Sequence, residues 1–182
     1  MIKETKMDIM KADYFAIVQF GNLDLLQEKL ALEKDTIEDI KNLCDTNNMS
    51  LLEKSLSYGK FDISKYLLDN NVEVNVITKQ GCNELHYIAS NLNSKKAIGL
   101  ANRLVEKNVD LNLQDKKFKN SPFWYLCQES MRRNTADFYE FIGYCFGKNP
   151  DIDSINMAGI SIREMVVERK NPVLIKFIEK EV

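Results

Sequence analysis

Residues 50–75 read SLLEKSLSYGKFDISKYLLDNNVEVN, two short amphipathic segments joined at a glycine and followed by a loop. Ser50 with Glu53 three positions later is a capping-box pattern, in which side chain and backbone at a helix start satisfy one another. The helix it opens runs to Gly59, a residue suited to the left-handed position just past a helix end. A second helix begins near Phe61 or Asp62, sets Ile63, Tyr66 and Leu67 on one face, and stops at Asn70 and Asn71. The alternating Val72, Glu73, Val74 and Asn75 then predict a brief extended segment.

The unit recurs. Its tail, YLLDNNVEVN at 66–75, returns as RLVEKNVDLN at 103–112 and more faintly as CFGKNPDID at 145–153. Ser161 and Glu164 repeat the capping box, Asn83 is a good N-cap, and Ser121 precedes Pro122 at a first helical position. These starts lie 33, 38 and 40 residues apart. Second-helix faces recur as Leu100, Leu104 and Val105, as Phe138, Phe141, Ile142 and Cys145, and as Leu174, Phe177 and Ile178. A unit this short cannot bury its own apolar face, so copies must stack, and the expected fold class is all-α.

Bulk properties narrow the function. The chain has 182 residues, enough for one domain, and its 27 acidic and 25 basic side chains nearly cancel. That balance argues against a general nucleic-acid binder, which needs a basic face to displace counterions. Cys44, Cys82, Cys127 and Cys145 are widely spaced with no CxxC pair, so reduced thiols are expected and neither a metal nor another cofactor is implied. Cys82, in a loop expected to be exposed, is the candidate reactive thiol. No apolar run is long enough for a membrane span, and the charged start MIKETKMDIMKADYF is unlike a signal peptide. The expected compartment is cytoplasmic, with no membrane partner.

This combination resembles the ankyrin repeat family, whose units follow D-x-x-G-x-T-P-L-H-x-A-A, an inter-helix glycine, a leucine-ended second helix and a G-A-D-V-N-like exit. Asp45, Asn48, Ser50, Leu52, Ser55, Gly59, Ile63, Leu67, Leu68, Asn71, Val74 and Asn75 fall on matching slots. GCNELHYIA at 81–89 looks like the G-x-T-P-L-H-x-A-A core, and in SPFWYLC at 121–127 Ser-Pro matches Thr-Pro. Asn156, Gly159 and Ser161 mark a fifth unit, in which Arg163 takes the usual leucine slot. An earlier degenerate unit is visible in YFAIVQFGNLDLLQEKL at 14–30, with Gly21 between its helices. The resemblance implies a single domain over 1–182, a solenoid of about five helix-turn-helix units with short hairpin-like loops. Its units lie near 12–44, 45–77, 78–114, 115–155 and 156–182. Extra residues around 91–98 and 128–137 are expected as longer turns between the paired helices.

The resemblance also implies what these residues do. His86, the only histidine, falls on the slot whose imidazole bonds the hairpin backbone and ties adjacent units, which removes it from catalysis. Cys127 and Cys145 fall on core slots. No phosphate loop, HExxH, GxSxG or paired-carboxylate signature stands out, so the chain reads as non-enzymatic. Members of the family bind other proteins through the concave helix face and the hairpin tips.

On the family's variable positions the expected contacts are Thr46, Asn47, Met49, Ser57 and Tyr58, then Lys79, Gln80, Tyr87, Ser90 and Asn91. They continue with Lys116, Lys117, Lys119, Trp124, Tyr125, Gln128 and Glu129, and end with Met157, Glu168 and Arg169. Trp124 has two readings, packing between units or an interface anchor. Ankyrin folds of this size occur among bacterial immunity proteins that neutralise a toxin, which is the role expected for a chain that is a monomer on its own. A host-directed effector and a structural scaffold or oligomerisation unit are the alternatives.

Overall fold

A computed structural model of the chain describes residues 8–179. Eleven α-helices lie among the described residues: α1 Tyr14–Phe20, α2 Leu23–Glu33, α3 Ile37–Ile40, α4 Leu51–Ser57, α5 Phe61–Asp69, α6 Glu84–Ala89, α7 Lys95–Glu106, α8 Pro122–Arg133, α9 Ala136–Phe146, α10 Ile162–Glu168 and α11 Pro172–Glu179. No β-strand occurs among these residues, only isolated bridges between Cys44 and Ser50 and between Ile155 and Ser161. The fold is all-α.

The helix starts follow local chemistry. Ser50, Asn83, Ser121 and Ser161 each accept, through the side chain, the backbone N–H three residues on. Glu53 and Glu164 return the bond to Ser50 and Ser161, and in α6 the ring of His86 closes the box on Asn83. Helix ends use left-handed residues, Gly59 and Asn134 after α4 and α8, and Lys34, Asn71, Asn108 and Asn149 after α2, α5, α7 and α9. Asparagine recurs there because its short polar side chain tolerates that conformation better than most.

Helices pair in sequence and stack in two rows. α1 packs on α2, α4 on α5, α6 on α7, α8 on α9 and α10 on α11. One row runs α1, α4, α6, α8, α10 and the other α2, α5, α7, α9, α11, each helix touching its row neighbours. The core lies between the rows. Leu52, Leu56, Ile63 and Leu67 continue into Leu85, Ile88, Leu100 and Leu104, then into Phe123, Leu126, Phe138 and Ile142, all fully buried or nearly so. Burial of this kind contributes about 25 cal/mol per Å² of apolar surface and dominates the favourable side of folding. The Ser55 and Ser64 hydroxyls meet at 2.8 Å between α4 and α5, which satisfies both in the core.

Two expectations are corrected and one helix is added. Residues 72–75 do not form a regular extended segment, because Asn75 turns left-handed (φ 62°) and uses its side chain to tie two units. The extra residues at 128–137 are not a loop. They prolong α8 by more than a turn, stabilised by Glu129 pairing with Arg132 and Arg133 at i+3 and i+4 and stopped by left-handed Asn134. The short α3 was not expected, although the backbone N–H and hydroxyl of Thr36 both donate to Asp39 in a box readable from its spacing. Arg163 forms a two-point pair with Asp153 at 2.6 and 3.0 Å.

Candidate functional site

Between successive helix pairs the chain makes a tight turn, or tip, built four times on one plan. Asp45, Thr78, Asp115 and Asn156 open the tips, and each accepts backbone N–H groups through its own side chain. Asn48, Gly81, Lys119 and Gly159 take the left-handed position near the end of each tip. The tips then join through their backbones. Lys79 N–H donates to Asn47 O, Lys116 N–H to Gln80 O and Met157 N–H to Phe118 O, each at 2.8 Å. Three equivalent bonds hold the tip edge in one register along the α4–α6–α8–α10 row.

A second ladder runs behind the first. Asn75 Oδ1 accepts Asp110 N–H and Asn112 Oδ1 accepts Asp151 N–H, both at 2.8 Å. His86 ties the start of α6 to the next tip. Its Nδ1 accepts Asn83 N–H at 3.1 Å, which leaves the proton on Nε2 to donate to Asn120 O at 3.3 Å in the next tip. Burial holds its pKa below the usual histidine value, consistent with a neutral ring used as a tie.

The expected contact residues sort by environment. Thr46, Asn47, Tyr58, Lys79, Gln80, Ser90, Lys116, Lys117, Lys119, Met157, Glu168 and Arg169 are exposed. Met49, Ser57, Tyr87, Asn91, Tyr125, Gln128 and Glu129 are half-buried. Trp124 takes the packing reading and not the anchor reading: only 9% accessible, it belongs to the buried core and leaves no anchor at the surface. Asn91 is committed internally, donating to Leu56 O and Ser57 O at 2.9 Å across the end of α4.

The tyrosines divide as well. Tyr58 stands 46% exposed beyond α4 with the Lys54 ammonium over its ring. Tyr87 donates its hydroxyl to Thr78 and Tyr125 donates to Asp115, so each ring is pinned by the tip of its own unit. Burial pushes both phenols up to about 12, and they remain neutral donors. Between them, α6 and α8 enclose a mainly apolar groove of about 250 Å³ lined by Cys82, His86, Tyr87, Ala89, Ser90, Tyr125 and Glu129.

Cys82 is not the reactive thiol that its loop position suggested. It is half-buried in this groove, and burial pushes its pKa up to about 11, so little thiolate forms near neutrality. Cys127 and Cys145 are buried in the core, as expected. Sequence reasoning missed the exposed apolar residues of the tip edge, Ile77, Phe118 and Ile155. Phe118 sits in the run DKKFKN, where an aromatic between lysines was a readable signal. No group of acidic, His or Cys side chains among the described residues could hold a metal ion, and no described helix is long and apolar enough to cross a membrane.

Gly81 tests the rigidity of the tip ladder. It has φ 78°, and a Cβ there would lie 3.1 Å from Lys116 Cγ and 3.2 Å from Lys116 N. Gly81→Ala is expected to cost about 1–3 kcal/mol, from left-handed strain and displacement of the Lys116 backbone. Urea unfolding checks this, and a loss within about 0.5 kcal/mol would mean that the edge gives way without strain.

No protein-family model matches the chain, and no match was found among curated proteins.

Proposed function

We propose that the chain is an ankyrin-repeat solenoid that binds a partner protein through the row of first helices and the tip edge, without chemistry of its own. The observation that carries this reading is the tip ladder, three equivalent 2.8 Å backbone bonds presenting side chains at fixed spacing. A surface held this way loses little conformational entropy on binding. Lys79, Lys116, Phe118 and Met157 lie along it and Tyr58 stands at the other end of α4, all exposed and mixed in character, as a protein interface needs. Within this class the role we propose is neutralisation of a cognate toxin.

The test is capture by the tagged chain from its native host. Wild type is compared with Tyr58→Ala, with Lys116→Glu plus Lys117→Glu, and with Glu28→Lys on the opposite row. Tyr58→Ala is expected to weaken capture of one partner by tenfold or more, roughly the loss of an interface anchor, while Glu28→Lys leaves it unchanged. Equal capture by all four proteins would overturn recognition through this face. For the immunity role, the captured protein should be toxic when expressed alone and tolerated with the chain; a partner harmless alone would remove that role.

A further inference from the structure

The groove between α6 and α8 differs from its neighbours along the row. One unit earlier, Asn91 bridges the equivalent space by bonding the end of α4. One unit later, the space beside α8 is lined by Gln128, Glu129, Met131, Arg132, Arg169 and Asn171, a mixed polar and apolar wall. Between α6 and α8 the floor is Ala89, the walls are the Tyr87 and Tyr125 rings, and both rings are fixed through their hydroxyls. Its 250 Å³ is below the roughly 300–1,000 Å³ of small-molecule sites and suits a single bulky side chain.

The tip side of the rim is positive, and the one carboxylate in the lining, Glu129, is paired with Arg132 and Arg133. Lys116 lies against Gly81, next to Cys82 of the groove, and Lys79, Lys117 and Lys119 continue along the tips. None of these four lysines makes an ion pair among the described residues. The one carboxylate among them, Asp115, is buried and accepts Lys117 N–H, Phe118 N–H, Asn120 N–H and the Tyr125 hydroxyl. Phe118 and Met157 stand exposed beyond it.

We infer that this groove is an anchor pocket for a protein segment in which one bulky apolar side chain is flanked by carboxylates. The inference rests on the protein-binding reading above and adds the chemistry of the partner. The apolar side chain enters between the tyrosine rings and displaces water from Ala89 and the ring faces. The flanking carboxylates meet Lys79, Lys116 and Lys117, which set the direction of approach and exclude basic segments.

The probe is a short synthetic peptide with a central Leu between Glu and Asp residues, titrated into the full chain and followed by amide NMR shifts. Saturable shifts are expected at Cys82, Ala89, Ser90 and Tyr125. Replacing the central Leu by Ala should weaken binding about tenfold or more, and replacing the acidic flanks by Lys should abolish it. Ser90→Phe, at an exposed rim position, should give a similar loss by closing the mouth. Lys116→Glu with Lys117→Glu should weaken binding and flatten its dependence on salt. The pocket is overturned if the Ala peptide binds as tightly as the Leu peptide, if the shifts fall elsewhere, or if no saturation is seen below about 1 mM. The peptide comparison stands even if Ser90→Phe folds poorly. Partner capture that depends on Tyr58 while the peptide fails to bind overturns the anchor pocket alone; capture indifferent to every face variant overturns the broader reading.

Discussion

Phe123→Ala is expected to remove about 3–5 kcal/mol of stability, the cost of truncating a fully buried aromatic and leaving a cavity. Phe123 meets Phe146 edge to face at 5.0 Å, and Phe146 stacks on Phe177 at 5.4 Å, so three rings tie α8 to α9 and α11. The loss is a large share of the roughly 5–15 kcal/mol that holds an ordinary domain. Its location matters as much as its size. Each helix packs mainly on its pair partner and row neighbours, so α10 and α11 are held to the rest through α8 and α9. A stack with such nearest-neighbour coupling comes apart at its weakest interface. Trp124, the only tryptophan, is the next residue of α8 and reports on this helix. In urea its fluorescence midpoint should fall below the helix signal from circular dichroism, and amides of α10 and α11 should lose exchange protection before those of α4 and α5. Coincident transitions, or a loss under about 1 kcal/mol, would mean that the ring ladder does not couple the last two pairs.

Much of the frame was legible because its determinants are local. The caps at Ser50, Asn83, Ser121 and Ser161 work within three residues, and residue type with spacing is enough to find them. The faces Ile63–Tyr66–Leu67 and Phe138–Phe141–Ile142 follow from helical periodicity alone. The α8 extension is hidden by the repeat, whose phase makes residues 128–133 an inserted turn. Their own signals, good helix formers with Glu129 four before Arg133, favour helix. Trp124 and Cys82 show the other limit. Whether a side chain on a stack is covered depends on the neighbouring unit. For Cys82 that includes Tyr125, 43 positions away, which lines the same groove. The groove exists because residue 91 bonds backward to α4 while Tyr87 and Tyr125 bond to their tips, a choice no single unit records.

Stability is expected to fall as pH rises from about 5 to about 8, opposite to the behaviour of a protein held by surface carboxylate pairs. Glu53 in α4 and Glu84 in α6 are both fully buried. Glu53 Oε2 accepts Ser50 N–H at 2.7 Å while its Oε1 has no partner; Glu84 accepts the N–H groups of Asn75 and Val76. Burial, the larger cause, pushes Glu53 up to about 8, and the Glu84 and Asp45 charges add to it; burial likewise pushes Glu84 up to about 7. Both folded values exceed the unfolded value of 4.5, so the folded chain holds protons that the unfolded chain releases. Their stabilising contribution is therefore complete below about pH 4.5 and is lost as pH climbs through 7 and then 8, at up to about 1.4 kcal/mol per pH unit for each proton. His86, held below its ordinary 6.5, acts in the other direction but only beneath that value. The interval from about pH 7 to 8 thus isolates Glu53. Glu53→Gln keeps an acceptor for Ser50 N–H and has no proton to lose, so it should flatten the stability profile there, while Glu84→Gln flattens it at lower pH. Urea midpoints measured at half-unit steps decide the matter. A wild-type profile that is level or rising from pH 5 to 8, or a Glu53→Gln profile parallel to wild type, would show that the buried carboxyl is solvated or re-paired when it ionises. The same ionisation bears on the candidate site, because Glu53 lies in α4, which Tyr58 caps, and Glu84 in α6, which carries Tyr87, and the two helices pack on each other.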